Sequence, residues 1–313
     1  MTRPKVLVTR KVHQEAIDLL KEKCELDIWD SDQVIPRDVL LKKVQGVSAI
    51  FCTISDVIDA PVLDAAGTQL KTVATMSVGT HHISTYDCKK RDIYVANTPD
   101  VAADSAAEFT VTLLLMAARR CLEGVTAVEK GEWGLWKPMW ICGTEIVNRT
   151  LGILGFGRVG FGVARRMKPF GVKRILYNDM VRASFGDELN AEYVDQDTLF
   201  RESDFLVISC ALNGLTRNLI NKKVFDKMKP TAILINTSRG PVVDTDDLVE
   251  ALKTGKITAA AVDVTEPQPL PADHPLISMP NCIITPHIAT NSTKARLDMA
   301  INTSRNIMAV LFR

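Results

Sequence analysis

Short runs of consecutive apolar residues alternate along this chain with segments in which apolar residues recur every three or four positions. The apolar run at residues 49–52 is typical of a strand buried on both faces. By contrast, Val12, Ala16, Leu19 and Leu20 would share one face of a helix. Up to residue 100 the pattern predicts five strands, at residues 5–9, 26–29, 49–52, 73–76 and 93–96.

The same alternation continues after a break at residues 97–100. A long helix is predicted next, with Ser105 as its N-cap and Glu108 in the reciprocal position of a capping box. Strands that alternate with helices predict parallel sheets covered on both faces, which is the α/β class. Further strands are predicted at residues 151–154, 174–177, 193–194, 205–210, 233–236, 259–262 and 282–285, with helices at 163–167, 222–228, 245–252 and 292–312.

A glycine-rich turn follows the strand at residues 151–154. Gly155 would let the chain turn sharply, Gly157 would let a pyrophosphate approach the backbone, and Gly160 would let the next helix pack against the strand. Asp179 stands at the end of the following strand, where a carboxylate can bind a ribose hydroxyl. This unit predicts a dinucleotide site whose phosphates face a helix N-terminus.

We therefore predict two doubly wound parallel-sheet domains. Residues 1–100 and 287–313 would form a flavodoxin-like substrate-binding domain, to which the C-terminal helix returns. Residues 101–286 would form a Rossmann dinucleotide-binding domain.

Polar residues follow three of the predicted strands in the second half of the chain. Arg239, Asp263 and His287 each come directly after a strand, and in a doubly wound sheet such positions face the ligand crevice. An arginine can hold a carboxylate bidentately, and a histidine can transfer a proton near neutral pH. With a nicotinamide cofactor, this set predicts reduction of a 2-oxo acid.

Composition narrows the alternatives. The 313 residues carry a net charge of only +1, which gives no electrostatic reason to expect nucleic acid or an anionic membrane as partner. Seven scattered cysteines without a CxxC pair, and a start without an apolar signal segment, lead us to expect a cytoplasmic protein. His81 and His82 lack further ligands at metal-binding spacing, so we expect no metal.

At these residues the chain resembles the NAD(P)-dependent D-2-hydroxyacid dehydrogenases, over nearly its whole length. Within that family the stretches at 76–79, 136–143 and 270–276 resemble the members that reduce glyoxylate and hydroxypyruvate, giving glycolate and D-glycerate. The motifs that carry the resemblance are residues 77–79, 97–101, 107–108, 155–160, 236–240, 263–264 and 285–288.

The resemblance also implies roles for individual residues. Arg239 and the backbone at Val78 and Gly79 would hold the substrate carboxylate and oxo group, and His287 would protonate the oxo oxygen. Asp263 would contact the carboxamide of the cofactor. The remaining cofactor contacts would come from the glycine turn and from strand ends: Gly155, Gly157, Arg158, Val159, Gly160, Asp179, Ala211 and Thr237.

One position departs from the family pattern. The glutamate that pairs with the catalytic histidine in relatives is replaced by Gln268. An amide can orient the ring but cannot stabilise an imidazolium as a carboxylate does. Glu266 lies two residues away and is the alternative partner, so the sequence leaves open which of the two residues serves His287.

Cofactor choice and assembly also stay open at this stage. Asp179 favours NAD(H). NADP(H) is the alternative, because related dehydrogenases place the carboxylate at the position of Asn178, and relatives that use NADP carry an arginine near the position of Arg182. The tryptophan-rich loop at 133–140 would either fill a core or contact another subunit. The resemblance implies a homodimer in which a tryptophan of this loop, Trp140 by our choice, enters the neighbouring subunit's pocket.

The sequence leaves three functions in competition. The first is the reduction of a small 2-oxo acid, weakened or shifted to acid pH by Gln268. The second is a non-catalytic regulatory protein that senses NAD(H) on the same fold. The third is a dehydrogenase of a larger 2-hydroxy acid, against which the tryptophan loop argues. The retained Arg239 and His287 favour the enzyme.

Overall fold

The structure is a computed structural model that describes residues 3–99 and 101–313. Asp100, part of one of the motifs that carry the resemblance, lies outside the described residues. The chain divides into two compact units, residues 1–102 with 291–313 and residues 103–290. The sequence placed these boundaries at residues 100 and 286, so His287 belongs to the second unit rather than the first.

The first unit contains a parallel sheet of five strands within the described residues, in the order β2-β1-β3-β4-β5. Its strands are short, mostly buried apolar runs, and each of the first four is followed by a helix that returns the chain for the next parallel strand. The elements are β1 (Lys5–Val8), α1 (Gln14–Lys21), β2 (Glu25–Ile28), α2 (Arg37–Lys43), β3 (Ala49–Cys52), α3 (Ala60–Ala66), β4 (Thr72–Thr75), α4 (Thr85–Lys90), β5 (Tyr94–Ala96) and the C-terminal helix α12 (Thr293–Leu311).

Two apolar cores cover the two faces of this sheet. On one face α1 and α12 pack together, with Leu20, Met299 and Ile307 buried against the strands. On the other face Leu40, Val62 and Leu63 of the following helices are buried. The prediction that the C-terminal helix returns to the first sheet is therefore confirmed by its packing.

The second unit contains a larger parallel sheet, in which seven strands lie within the described residues in the order β12-β11-β10-β9-β6-β7-β8. Its elements are α5 (Ala103–Ala118), α6 (Cys121–Glu129), β6 (Thr150–Leu154), α7 (Arg158–Met167), β7 (Arg174–Asn178), β8 (Glu192–Tyr193), α8 (Gln196–Glu202), β9 (Phe205–Ile208), α9 (Lys222–Phe225), β10 (Ile233–Asn236), α10 (Thr245–Lys253), β11 (Ala259–Val262), α11 (Pro275–Ser278) and β12 (Cys282–Ile284), with 3₁₀ turns at Lys168–Phe170, Ser184–Leu189 and Gly240–Val242.

The order of the strands places the site residues at one edge of this sheet. β6 lies between β9 and β7, so the chain leaves the centre of the sheet at the glycine turn. β10, β11 and β12 are direct neighbours and all run parallel. Arg239, Asp263 and His287, which follow these three strands, therefore stand after the carboxyl ends of adjacent strands, as predicted.

Two helix starts differ from the prediction. Ser105 is not an N-cap, because α5 already begins at Ala103 and the Ser105 hydroxyl donates to the carbonyl of Ala289 at 3.2 Å. The helix after the glycine turn begins at Arg158 rather than Val163. Ser105 was expected as the cap from its capping-box spacing, which its contact with Ala289 overrides, whereas the first turn of α7 contains Arg158 and Gly160, which apolar periodicity does not mark.

Two kinds of feature are absent from the parts of the chain that the structure describes. No described helix combines the length and apolar character needed to cross a membrane. Across residues 3–99 and 101–313, no three His, Cys, Asp or Glu side chains form a group that could hold a metal ion.

Candidate active site

The glycine turn is closely packed at two of its glycines and open at the third. Gly155 has φ +90°, and a Cβ there would lie 2.4 Å from the backbone nitrogen of Cys210. Gly157 is the N-cap of α7, and a Cβ there would meet open space, so the backbone is accessible to a ligand. At Gly160 a Cβ would lie 2.3 Å from the carbonyl oxygen of Gly155, which keeps the helix close to the turn.

The carboxylate of Asp179 binds this turn directly. One oxygen accepts a hydrogen bond from the backbone N–H of Phe156 at 2.7 Å, and the other accepts from Met180 at 2.7 Å. The side chain of Asn178 points elsewhere and donates to the carbonyl of Val194. Arg182 forms an exposed ion pair with Asp187 at 2.9 Å. Asp179, not Asn178, is thus the side chain that contacts the glycine turn.

The Arg239 loop is organised by a buried amide. Asn236 is 1% exposed; its Nδ2 donates to the carbonyl of Arg239 at 3.0 Å, and its Oδ1 accepts from the N–H and hydroxyl of Ser238. The Arg239 guanidinium donates to the Ser238 carbonyl at 2.7 Å and has no carboxylate ion-pair partner among the described residues. Burial lowers the pKa of Arg239, yet a guanidinium keeps its charge at neutral pH. This cation is available to an anionic ligand.

Asp263 builds the loop that carries His287. Its carboxylate is 1% exposed and accepts hydrogen bonds from the Thr285 hydroxyl at 2.6 Å and from the N–H groups of Ile288 and Ala289 at 2.8 and 2.7 Å. Its carbonyl accepts from the N–H of His287 at 2.9 Å. These contacts hold His287 in the left-handed region at φ +57°. The structure thus gives the carboxylate a positioning task, and the predicted contact with a cofactor carboxamide stays a prediction.

Gln268, rather than Glu266, reaches the histidine. Gln268 Nε2 lies 2.8 Å from His287 Nδ1. Glu266 is exposed, and no hydrogen bond or ion pair of its carboxylate occurs among the described residues. Its backbone carbonyl accepts from Thr245 at 2.8 Å. The alternative in which Glu266 replaces the missing glutamate therefore lacks support in this geometry.

Two further predicted cofactor residues lie at the same edge of the second sheet. Thr237 directly follows β10, and its hydroxyl lies 2.6 Å from the hydroxyl of Thr110 on α5. Ala211 lies beyond the end of β9 and is exposed; its carbonyl accepts from Thr216 at 2.7 Å. Arg158 and Val159 form the first turn of α7. Thr110 and Asn236 had no predicted role, although a lone hydroxyl on a buried helix face was a visible signal in the case of Thr110.

In the first unit, hydrogen bonds fix the turn at Val78 and Gly79. The Ser77 hydroxyl donates to the carbonyl of Gly79 at 2.7 Å, and Asn97 Nδ2 donates to the carbonyl of Val78 at 2.7 Å. The Ser77 hydroxyl is also 2.8 Å from that of Thr75. Because the carbonyls are held, the orientation of the neighbouring peptide N–H groups is held as well. Asn97 belonged to a recognised motif, but its side-chain role was not predicted.

The tryptophan loop lies at the surface of the second unit. Trp136 and Leu135 are 84% and 91% exposed, whereas Trp140 is half-buried and packs near the Lys137 ammonium. We call the exposed apolar side chains of this region the tryptophan arm; they are Leu122, Val125, Val128, Trp133, Leu135, Trp136 and Met139.

Comparisons with known proteins identify relatives of this chain. A family model described as the NAD-binding domain of D-isomer-specific 2-hydroxyacid dehydrogenases matches residues 111–289. A human glyoxylate reductase/hydroxypyruvate reductase is 46% identical over 98% of this chain and 94% of its own length. A glyoxylate reductase of Thermofilum pendens is 44% identical, over 99% and 92%. The crystal structure of a Thermus thermophilus protein, 38% identical, covers 98% of this chain and 96% of its own, with a TM-score of 0.93.

Proposed function

We propose that this chain, which belongs to the D-isomer-specific 2-hydroxyacid dehydrogenase family, reduces glyoxylate and hydroxypyruvate to glycolate and D-glycerate. The observation that carries the proposal is the set of groups after three adjacent strands: an arginine without a carboxylate partner among the described residues, a histidine in the left-handed region, and the aspartate that holds the histidine loop. Relatives named as reductases of these two acids support the choice of substrate.

The residues at the glycine turn fit a nicotinamide dinucleotide. The open space at Gly157 admits phosphate oxygens to the backbone, and the N-terminus of a helix such as α7 attracts anions. Asp179 presents a carboxylate beside the turn for ribose hydroxyls. When bound, such a cofactor supplies the hydride that adds to the carbonyl carbon of the substrate.

Arg239 would bind the substrate, and His287 would transfer a proton to it. The Arg239 guanidinium would bind the substrate carboxylate, because two parallel N–H···O bonds fix both position and orientation. His287 would donate the proton that the oxo oxygen takes up as it becomes a hydroxyl. The contacts of Val78 and Gly79 with the substrate remain proposals that the resemblance supports.

Gln268 determines which form of His287 the structure favours. An amide nitrogen can only donate, so Nδ1 accepts from Gln268 and the neutral ring carries its proton on Nε2. To release that proton, the ring must first be protonated on Nδ1. The amide must then present its oxygen to Nδ1, since a donor would face a donor. We therefore expect proton uptake to be coupled to a turn of the Gln268 amide.

We further propose NADH as the preferred cofactor. The Asp179 carboxylate beside the glycine turn would repel a ribose 2′-phosphate. Arg182, the nearby cation that could bind such a phosphate, is already paired with Asp187. Both contacts favour an unphosphorylated ribose.

The tryptophan arm supports a homodimer. Seven large apolar side chains exposed within residues 122–139 form a surface of the kind that a protein partner covers. We propose that this partner is a second copy of this chain. Trp136 is the more exposed tryptophan and fits a subunit contact better than Trp140.

All seven cysteines are free thiols, which supports a reducing compartment, the cytoplasm.

The proposal is tested by measuring NADH and NADPH oxidation with glyoxylate and with hydroxypyruvate from about pH 5 to 8, a range that includes the reference pKa of histidine at about 6.5. Turnover that falls at least about a hundredfold in Arg239→Ala, with NADH binding unchanged, would support it. Bound NADH with no turnover on either acid would instead indicate a dinucleotide-sensing protein.

A further inference from the structure

The buried face of α5 carries one hydroxyl that packing does not explain. Eight residues of this helix are buried, and Thr110 is the polar one among alanine, valine and leucine. It is 0% exposed. A buried hydroxyl is costly unless its hydrogen bonds are made, so Thr110 needs specific partners.

Thr110 has two short contacts. Its Oγ1 donates to the carbonyl of Ala106, one turn earlier, at 2.6 Å. It also lies 2.6 Å from Oγ1 of Thr237. Thr237 stands directly after β10 and two residues before Arg239, so the contact joins the helix core to the loop that carries the substrate-binding arginine.

The protons in this chain of contacts can be assigned. A carbonyl oxygen has no hydrogen, so only the Thr110 proton can occupy the short gap to Ala106; otherwise two lone pairs would face each other at 2.6 Å. The proton between the two hydroxyls must then come from Thr237. The hydroxyl of Thr237, a half-buried residue, has no second proton, so it can offer a ligand only its lone pairs.

We infer that Thr110 makes Thr237 an obligate acceptor, which selects the amide N–H₂ of a nicotinamide cofactor rather than its carbonyl oxygen. This inference rests on the proposed function, since it assumes a nicotinamide beside Thr237. Thr110 is a positioning residue: it orients the Thr237 hydroxyl and does not itself touch the ligand. A free threonine hydroxyl could donate or accept and would not discriminate between the two ends of a carboxamide.

The test compares the binding of NAD⁺ and of its acetylpyridine analogue, in which a methyl ketone replaces the carboxamide and no N–H₂ remains. Dissociation constants are measured by calorimetry for the wild type, Thr110→Val, Thr110→Ser and Thr237→Val. The valine removes the Thr110 hydroxyl at nearly constant shape, whereas the serine retains it and is the matched control. Thermal melting of each variant shows whether it folds.

We expect the wild type and Thr110→Ser to prefer NAD⁺ over the analogue by about tenfold, the value of one hydrogen bond. In Thr110→Val the preference should fall to about threefold or less, because the Thr237 hydroxyl is then free to donate to the ketone. Thr237→Val should show the same loss, which keeps the test decisive if Thr110→Val does not fold.

An equal preference for NAD⁺ in the wild type and in either valine variant would overturn the inference while leaving the reductase proposal intact. A wild type that does not distinguish the two ligands would overturn it as well. If the wild type binds neither dinucleotide, the proposed function itself fails, and that outcome is distinct because it appears without any variant.

Discussion

Gln268 Nε2 lies 2.8 Å from Nδ1 of His287, so a neutral amide orients the proposed proton donor at a position where the resemblance implies a carboxylate. The contact fixes the ring as a carboxylate would. It does not favour the charged ring, because an amide dipole attracts an imidazolium far less than an ion does. Orientation and proton affinity, which a single glutamate at this position would provide together, are thus separated in this chain.

Replacing Gln268 by glutamate should extend activity to higher pH. A carboxylate at this distance should raise the pKa of the imidazole by about one to two units, because it stabilises the protonated ring. The charged ring donates the proton, so the upper limb of kcat for glyoxylate reduction should move to higher pH by the same amount. The pH profile of kcat measures this.

Glu266→Gln is the matched control for that experiment, since it makes a similar change two residues away on an exposed side chain. We expect it to leave the profile unchanged. If Glu266→Gln moved the limb and Gln268→Glu did not, the assignment of Gln268 as the histidine's partner would be wrong.

Asp263→Asn should loosen the His287 loop. The carboxylate accepts from two backbone N–H groups and one hydroxyl, and an amide nitrogen would face one of these donors. We expect unfolding to become easier by about 1–3 kcal/mol and kcat to fall by about tenfold or more. Denaturant unfolding and steady-state kinetics measure the two effects.

Thr285→Val, which removes only the hydroxyl contact, should show a smaller loss of both stability and kcat. An Asp263→Asn variant with normal stability and normal kcat, but weaker cofactor binding, would favour the cofactor role that the resemblance implied.

Asp179→Ser should shift cofactor preference toward NADPH. The substitution removes the charge that would repel a 2′-phosphate, and it also removes an acceptor for the ribose hydroxyl. We expect the ratio of kcat/KM for NADH over NADPH to fall by about tenfold to a hundredfold. Glu188→Gln, which removes an exposed charge from the 3₁₀ turn at Ser184–Leu189, serves as the control of charge. A wild type that prefers NADPH would contradict the assignment directly.

Substituting Leu135 and Trp136 together by serine should produce monomers. These side chains are among the most exposed of the tryptophan arm, and their burial in a dimer would contribute several kcal/mol at about 25 cal/mol per Å². Sedimentation velocity measures the result. Val57→Ser, at another exposed apolar site, is the control. A wild-type monomer across the concentration range would refute the homodimer.

Two of the seven thiols should react rapidly with a disulfide reagent at pH 8, where thiolate is the reactive form. Cys121 and Cys142 are exposed. Burial raises the pKa of Cys88 and Cys210 to about 11 and that of Cys282 to about 12, so these remain protonated until the pH approaches those values. Colorimetric titration should count two fast thiols in the native protein and seven after denaturation. More than two fast thiols would contradict the burial described.

Local signals predicted most of the framework. Apolar runs and helical spacing depend on neighbours within a few residues, so the strands before Gly155, Arg239 and His287 could be placed from the sequence. The start of α5 could not, because Ser105 has capping chemistry but its hydroxyl is used by Ala289 instead. The capping propensity of Ser105 was overridden by a contact with Ala289, a residue far along the chain.

The sequence by itself therefore determined the alternation of strands and helices, the glycine turn and the polar residues after the strands, since each depends on residue types at short spacing. Only the tertiary structure decided the partners. Gln268 rather than Glu266 meets His287 across 19 positions, and Thr110 meets Thr237 across 127. Such contacts depend on how strands and helices pack, and no periodicity in the sequence records which side chains packing brings within hydrogen-bond distance.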